Sequence, residues 1–497
     1  MRFKQHPLGS TISGSPHSVC VSLPKMAHVR GYEEKDPEVL NRLRSGYPRF
    51  LSHQWIERLG KHITHHVDQV SPYFCATRES AAQLLRFAAA GRGEIRAVDH
   101  FHAVLLPKDV VIEHRAHMFL QHTGTGISSR EAEDALLQRN LRKSLYLETV
   151  DSRDPEKTIR DTLHKFYGTA EAEDIILCRG GMNAFYTGFQ ALREFQAERQ
   201  RHIWVQLGWL YVDTTRILEK FSAGDAPPQP FYNVLDLESL ARFLKEHGRS
   251  VAGIVTEVPN NPLVQTCDLP KLHALCRQYG VALILDPTIA SPHNVNLLEY
   301  SDLHINSLTK YASWEGDTLL GALALNRRSP YYSALAERIH KYHTPPYPRD
   351  LARLAHQIPA YHDVVKTTNE HTPKLVAFLE NHPAVDRVWW AWSEDSAENY
   401  RKITHQLAGP GAVFTFTLRK PLESFYDEVR FAKGPSFGTK FTMLCPFLYL
   451  AHYDLVRQSQ GRAFLESIGL PPDLIRFSVG LEPIDEILTE LDRALLS

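Results

Sequence analysis

The chain has 497 residues, of which 43% are apolar, and this length favours two or three domains with sizeable cores. The charge is balanced, with 56 basic and 57 acidic residues and no block of like charges, so we expect no nucleic-acid partner. No apolar run approaches the roughly 18 residues that a membrane span needs, so we expect no membrane association.

The N-terminal stretch, MRFKQHPLGSTISGSPHS, lacks the apolar core of a signal peptide. The cysteines lack disulfide or metal spacing, so free thiols in a reducing cytoplasm are the simplest interpretation. The six cysteines are Cys20, Cys75, Cys178, Cys267, Cys276 and Cys445. His62, His65 and His66 could share a helix face, but without a third-ligand pattern a solvated face is favoured, and we predict no metal site.

The first 150 residues predict an N-terminal arm followed by an extension of mixed structure. The arm, rich in Ser, Pro and Gly, runs to about Pro24. The stretch YFCATRESAAQLLRFAA predicts a strand, a turn and a helix, and AVLLPKDVVIEH is an alternating run. In the next segment Ser128 or Ser129 could cap a helix. Nothing in this region indicates catalysis from its residues alone.

From about Asp151 to Asn326 apolar runs alternate with helical stretches, which predicts an α/β domain with a largely parallel sheet. After Asn326 helices lead across a proline-rich joint into a smaller α+β domain. We therefore divide the chain into residues 1–150, 151–335 and 336–497. Ligands of parallel sheets gather outside the carboxyl ends of the strands, so polar residues at those ends are the candidate site.

Two strand ends carry the most informative residues. VALILDPT presents Asp286 after an apolar run, and LHINSLTK ends in Ser307, Thr309 and Lys310. A lysine that forms a Schiff base, an acid that holds a pyridine nitrogen protonated, and hydroxyls for a phosphate are what a pyridoxal phosphate (PLP) site requires. Separately, a solvated lysine and an N-capping aspartate are the ordinary interpretations. Their combination at this spacing favours the cofactor.

Three further positions fit such a site. Gly180 and Gly181 in CRGGMNAF stand at a strand–helix turn, where backbone N–H groups and the helix dipole can bind a phosphate, although tight turns often use the same glycines. Tyr211 in LGWLYVDTT could stack on a pyridine ring or belong to the core. Arg476 in LIRFSVG could bind a substrate carboxylate through two parallel hydrogen bonds, or form an internal salt bridge.

The segment EVPNNPLVQTCDLPKLHALCRQYGVALILDPTIASPHNVNLLEYSDLHINSLTKY resembles the cofactor-binding core of the Cys/Met-metabolism (transsulfuration) PLP enzymes. The N-terminal phrases LGSTI, PHSVCVSLP, GYEEKDPEV, SGYPRF and HTGTGISSREAE resemble the long N-terminal region of fungal-type cystathionine γ-synthases. The resemblance implies fold type I of the PLP-dependent transferases: a mostly parallel sheet flanked by helices, and a smaller C-terminal α+β domain.

The resemblance also assigns site residues. Gly181 and Met182 match the Ser-Gly-Met phosphate loop, and Tyr211 matches the stacking tyrosine. Asn261 matches the asparagine near the cofactor's phenolic oxygen, a position also typical of a turn residue before proline. We expect Lys310 and Tyr211 to be the catalytic residues. Ser436 matches a position close to the Schiff base, and Arg476 the site of the substrate carboxylate.

One departure concerns the Tyr-x-Arg pair by which family members reach the neighbouring subunit's cofactor phosphate. LQRNL keeps Arg139 for this contact but has Leu137 in the tyrosine position, and Tyr47 and Arg49 of GYPRF could supply the pair instead. The resemblance thus implies a homodimer or homotetramer.

The implied activity is cystathionine γ-synthase-like, the γ-substitution of an O-acylhomoserine by a thiol such as cysteine, with Lys310 moving the protons. A γ- or β-lyase and a γ-substitution enzyme of secondary metabolism are alternatives within the class. A non-catalytic regulatory or scaffold protein on the same fold is the alternative of a different class.

Overall fold

The computed structural model describes residues 3–45, 51–65, 67, 69–167, 171–222, 227–405 and 408–497. Three β-sheets organise these residues: a three-stranded sheet, a seven-stranded sheet and a five-stranded sheet, in chain order. No described helix is both long and apolar enough to cross a bilayer.

The N-terminal part contains the three-stranded antiparallel sheet, with strand order β1-β3-β2. Its elements are α1 (Met26–Glu33), α2 (Pro37–Leu40), α3 (Gln54–Ile63), β1 (Val70–Cys75), α4 (Arg78–Ala89), β2 (Glu94–Val98), β3 (Phe101–Pro107), α5 (Val110–Thr123) and α6 (Ser129–Gln138). We call residues 54–138 the N-terminal module.

Capping side chains fix where helices α5 and α6 of the module begin. The run AVLLPKDVVIEH is not one alternating segment, because β3 ends at Pro107 and Asp109 then accepts hydrogen bonds from the N–H groups of Val111 and Ile112. These bonds satisfy orphan donors at the start of α5. Ser128 is the residue that caps α6, in a reciprocal capping box with Glu131.

The end of the arm and helix α1, which precede the module, pack on the C-terminal part of the chain. Leu23, Met26 and Val29 belong to the same buried apolar cluster as Phe414 and Phe477 of the five-stranded sheet. Removing these apolar side chains from water ties the two ends of the chain together.

The seven-stranded sheet forms the central layer, in the order β4-β10-β9-β8-β7-β5-β6, with all strands parallel except β10. Its elements and covering helices are α7 (Pro155–Tyr167), β4 (Ile175–Cys178), α8 (Gly181–Ala197), β5 (Ile203–Leu207), α9 (Val212–Phe221), β6 (Gln229–Phe231), α10 (Leu237–His247), β7 (Val251–Glu257), α11 (Leu269–Tyr279), β8 (Ala282–Asp286), β9 (Leu303–Ser307) and β10 (Gly321–Leu325). The predicted α/β class with a largely parallel sheet is confirmed.

Burial explains why these runs are almost wholly apolar. Helices cover both faces of a parallel sheet, so the strands lack the alternation of a half-exposed strand. Every residue of β7 is buried, and β8 is buried up to its last residue. Polar side chains therefore collect where the strands end, and in the β7–β8 register Glu257 lies opposite Asp286.

The C-terminal part contains the five-stranded sheet, in the order β11-β12-β15-β14-β13. Its elements, with the helices that lead to it, are α12 (Tyr332–Arg338), α13 (Pro348–Gln357), α14 (Tyr361–Glu380), β11 (Val385–Trp389), α15 (Ala397–Arg401), β12 (Val413–Leu418), α16 (Leu422–Glu428), β13 (Ala432–Lys433), β14 (Met443–Pro446), α17 (Phe447–Ala451), α18 (Tyr453–Val456), α19 (Ser459–Ser467), β15 (Ile475–Ser478) and α20 (Ile484–Leu496). The division at residues 150 and 335 stays a prediction.

A buried ionic cluster joins the N-terminal module to the other two parts. Arg130 of α6 bonds to Glu148 (Nη2–Oε2, 2.7 Å) and to Asp350 of α13 (Nη1–Oδ1, 3.0 Å). Arg353 of α13 bonds to Asp317, in the segment that follows Lys310 (Nη2–Oδ2, 2.8 Å). Buried charges need such partners, because an unpaired one would be strongly destabilising.

Candidate active site

Lys310 lies just after β9 and is 7% exposed. Its Nζ donates a hydrogen bond to Oγ of Ser436, at 3.2 Å, and lies 4.8 Å from the ring centre of Phe437. The C-terminal part thus supplies the neighbour of an amine that the central sheet positions.

Asp286 ends β8, the strand beside β9. Its Oδ1 accepts a hydrogen bond from the N–H of Thr288 at 2.8 Å. Loss of water around the carboxyl group raises the pKa of Asp286 to about 6, although the bonds to Thr288 and the charge of Lys310 oppose this rise. A cation brought against Asp286 would favour its ionised form.

The glycine turn between β4 and α8 makes a cradle for an anion. Gly180 precedes the helix without a side-chain cap, so the first N–H groups of α8 are available to a ligand. A Cβ atom on Gly181 would lie 2.8 Å from Cβ of Ser307, which requires glycine at this position. Met182 and Thr309 border the same space, and the hydroxyl of Thr309 bonds to the backbone oxygen of Leu320 at 3.2 Å.

Tyr211 is the N-cap residue of α9, and its N–H donates to Oε1 of Glu257 at 2.5 Å. Asn261 is 3% exposed and follows β7 in the next loop. Both side chains border the cavity that contains Lys310. An aromatic ring and an amide therefore stand at the carboxyl edge of the sheet.

Arg476 lies on β15 with 5% of its surface exposed. Its Nη2 donates to the backbone oxygen of Pro435 at 2.8 Å, and its Nη1 lies 3.4 Å from Oδ1 of Asn261. Within the described part of the chain, no acidic side chain forms a salt bridge with Arg476. A buried guanidinium held by neutral oxygens can receive a carboxylate.

These residues surround one cavity of about 260 Å³. The predicted site residues that line it are Gly181, Met182, Tyr211, Asn261, Asp286, Ser307, Thr309, Lys310 and Arg476. Ser436 adjoins it through Lys310. An amine for an aldehyde, an acid for a pyridine nitrogen and a cradle for a phosphate fit PLP.

Arg139 is not among the residues that line this cavity. Its Nη1 bonds to Oδ2 of Asp99 at 2.7 Å and to the backbone oxygen of Ala135 at 2.9 Å. The alternative pair, Tyr47 and Arg49, lies outside the described residues. The contact that Arg139 makes with a neighbouring subunit's cofactor stays a prediction.

Sequence reasoning overlooked three charged residues that line the cavity, Arg179, Glu257 and Asp350. Glu257 ends β7 as Asp286 ends β8, so the same strand-end rule could have found it. Arg179 stands directly before the glycine turn, and its Nη1 bonds to Oε2 of Glu131 at 2.5 Å. Its position beside the anion cradle was the available signal.

The N-terminal module also reaches the cavity, although the residues of this region gave no indication of catalysis by themselves. Tyr73 of β1 and His117 and Gln121 of α5 line it. Nε2 of Gln121 donates to Oδ1 of Asp213 at 2.9 Å, close to Tyr211 at the start of α9. No local motif marked these residues, since only the packing of α5 against the central part brings them there.

No cluster of three or more metal-ligating side chains occurs among the described residues, and His66 lies outside them. All six cysteines are buried and unpaired.

Comparison with known proteins agrees with this geometry. Residues 156–496 match the family model of the Cys/Met metabolism PLP-dependent enzymes. The chain is 37% identical to an L-2-amino-4-chloropent-4-enoate dechlorinase/desaturase of Streptantibioticus cattleyicolor, over 97% of this chain and 96% of that one. It is 27% identical to a cystathionine gamma-synthase of Neurospora crassa, over 98% of both chains.

Solved structures show the same fold. A cystathionine gamma synthase from Xanthomonas oryzae pv. oryzae, in complex with aminoacrylate and cysteine, superposes with a TM-score of 0.58 at 19% identity, over 69% of this chain and 86% of that one. The expected fold type I and the PLP cofactor are confirmed, and the non-catalytic scaffold is set aside. The chain belongs to the Cys/Met metabolism PLP-dependent enzyme family.

Proposed function

We propose that the protein releases a substituent from the γ-carbon of an L-α-amino acid and replaces it with a thiol such as cysteine. The observation that carries this proposal is the buried amine of Lys310 in one cavity with Asp286 and Arg476. The full-length relative from Neurospora crassa, named cystathionine gamma-synthase, supports it.

The residues of the cavity would hold the cofactor at its distinct groups. Lys310 would hold the aldehyde carbon, Asp286 the pyridine nitrogen and Asn261 the phenolic oxygen, and Tyr211 would lie against the ring; all four residues line the cavity. The N–H groups at Gly181 and Met182 and the side chains of Ser307 and Thr309 would hold the phosphate. Bound PLP supplies an electron sink for charge that develops on the substrate.

The side chain of Arg476 positions the substrate. Its guanidinium takes the α-carboxylate, and Ser436 beside Lys310 completes this end of the cavity. Fixing the carboxylate aims the Cα–H bond at Nζ of Lys310, which is a gain from orientation. Because Arg476 already faces a neutral amide oxygen and a backbone oxygen, it needs little rearrangement to accept the substrate.

Lys310 moves the protons. When it is not bonded to the cofactor, its Nζ would remove the proton from Cα, and the same flexible amine would reach the neighbouring Cβ, whose proton must also move before a γ-substituent can leave. The hydroxyl of Ser436 accepts a hydrogen bond from this amine and so limits where it points.

A second candidate is γ-elimination without a thiol. The observation that favours it is the 37% identical relative, named a dechlorinase/desaturase, whose substrate carries chlorine on the γ-carbon. Both reactions need the same protons moved, and they differ only in the fate of the substrate once the γ-substituent has left. A β-lyase would need departure from Cβ instead.

The test is a substrate panel with purified protein and PLP. O-acetylhomoserine, O-succinylhomoserine and L-2-amino-4-chloropent-4-enoate are each incubated with and without cysteine, and products are identified by mass spectrometry, with Lys310→Ala as the control. Thioether formation that depends on cysteine supports replacement. Equal turnover without cysteine supports elimination, and no release from any γ-substituted substrate would contradict both.

We infer a homodimer or homotetramer, in which Arg139 or Arg49 completes a neighbour's site. Support for Arg139 comes from its position at the C-terminal end of α6, 22% exposed at its side chain. Sedimentation of the active protein tests this, and an active monomer at assay concentration would contradict it. The six unpaired cysteines support a cytoplasmic location, which cell fractionation tests.

A further inference from the structure

The last residue of β7, Glu257, is 8% exposed and has no role in the proposed reaction. We propose that Glu257 is a positioning residue for the cofactor: its carboxyl group accepts a hydrogen bond from the backbone N–H of Tyr211 and attracts that of Asn261, and so fixes where the ring and the amide of these two residues stand.

The contacts come from three separate elements. Tyr211 begins α9 after β5, and its N–H donates to Oε1 of Glu257 at 2.5 Å. The backbone N–H of Asn261, in the loop after β7, also acts on this carboxyl group and lowers its pKa. One side chain on the central strand therefore bonds to the first of the two loops that carry the proposed cofactor contacts and acts electrostatically on the second, at the edge where parallel sheets bind ligands.

The neighbouring charges give the carboxyl groups of Glu257 and Asp286 different protonation states. Glu257 and Asp286 lie opposite each other in the β7–β8 register. Burial and the charge of Asp286 raise the pKa of Glu257 to about 8, while the two N–H donors and Arg476 oppose the rise. Lys310 acts on Asp286 in the opposite sense and favours its ionised form. Glu257 is thus largely uncharged at neutral pH, and the negative charge of the pair belongs to Asp286.

This assignment depends on PLP and not on the proposed reaction, so it is tested with the cofactor alone. Apo protein is titrated with PLP to obtain Kd, and visible circular dichroism of the bound cofactor reports how firmly its ring is oriented. The variants are Glu257→Asp, which shortens the side chain but keeps the acid, Glu257→Leu, which removes the acceptor, and Glu257→Gln, which keeps an oxygen acceptor.

We expect Glu257→Asp and Glu257→Leu to weaken PLP binding about 10-fold, the scale of losing one or two hydrogen bonds, and to diminish the visible dichroism. Glu257→Gln should bind PLP within about threefold of wild type, because its amide oxygen still accepts. Wild-type Kd and dichroism in Glu257→Asp would overturn the proposal, and this variant decides the matter if Glu257→Leu does not fold.

The matched control is Asp302→Asn. Asp302 is a buried acid that accepts a hydrogen bond from the N–H of Leu283 at 2.8 Å, before β9 and away from the carboxyl ends of the strands. Its variant should melt at a lower temperature while Kd and dichroism stay unchanged. If Glu257→Asp behaves like this control, Glu257 serves the fold alone and the positioning role is wrong.

A second measurement concerns the proton. A carboxyl group whose pKa is raised on folding stabilises the protein most below its unfolded pKa, and this contribution disappears as the pH rises through about 8. The melting temperature of apo wild type should therefore fall more steeply between pH 6 and pH 9 than that of Glu257→Gln. Identical pH profiles would show that Glu257 is not the protonated acid.

Discussion

Residues 156–496 and the N-terminal module contribute to the same cavity by different routes. In the first region each polar group stands where a buried strand or a glycine turn ends, as Asp286, Lys310 and Gly181 do. In the module, His117 and Gln121 lie within the long helix α5 and reach the cavity only because that helix packs beside α9. The positions of the strand-end residues follow from local structure, whereas the positions of His117 and Gln121 in the cavity depend on tertiary packing.

The largest effect should come from Lys310→Ala. Without the amine no covalent cofactor link forms and no group moves the Cα proton, so we expect kcat to fall by about 1,000-fold or more. Mass spectrometry after borohydride reduction should detect the link in wild type only. Full activity in the variant would show that the strand-end assignment is wrong.

Asp286→Asn should come next. A neutral amide cannot hold the pyridine nitrogen protonated, so we expect roughly a 100-fold loss in kcat, equivalent to about 2.7 kcal/mol. The melting temperature should change little, because the amide keeps an oxygen that can accept from Thr288. An unchanged kcat with PLP bound would contradict the role of the acid.

Arg476→Lys should have an intermediate effect. A lysine still attracts the substrate carboxylate but cannot form the bidentate pair of hydrogen bonds. We therefore expect kcat/KM to fall by a factor that corresponds to roughly 1.5–3 kcal/mol of lost transition-state binding. PLP content should stay near normal. If the melting temperature falls while kcat/KM per folded molecule is unchanged, Arg476 serves the fold and not the substrate.

The smallest effect tests the other side of the comparison. His117 borders the cavity, with its ring centre 5.3 Å from that of Tyr73, whereas His114 lies one turn earlier on α5 and is not among the lining residues. We expect His117→Ala to raise KM about threefold through lost contact with substrate, and His114→Ala to leave it unchanged. Equal KM values for the two variants would show that His117 of the module does not contribute to substrate binding.

The sequence allowed prediction of most of the central sheet, because long apolar runs bounded by turn residues have few alternative structures. It also allowed prediction that Lys310 and Asp286 stand at the ends of neighbouring strands, where both line one cavity, while their roles stay predictions. Glu257 was overlooked although it obeys the same rule.

Other features had no local signal. The packing of Leu23 and Met26 on the C-terminal sheet joins residues about 400 positions apart. The helix that follows Pro107 was hidden because VVIEH is apolar at its start, and its boundary depends on the cap supplied by Asp109. Contacts between distant segments follow from the assembled fold and cannot be read from spacing.

The ionic cluster around Arg130 limits how the chain can be shortened or recombined with a homologue. A shortened gene that starts near residue 151, as the family boundary at residue 156 invites, would delete Arg130 and Glu148 together. The buried carboxylate of Asp350 would then lose its ion pair with Arg130, whereas the ion pairs of Arg353 with Asp317 and Glu315 would remain. We therefore expect deletion of the N-terminal module to destabilise the rest of the chain. Recombination between homologues should succeed only when α6 and α13 come from the same parent.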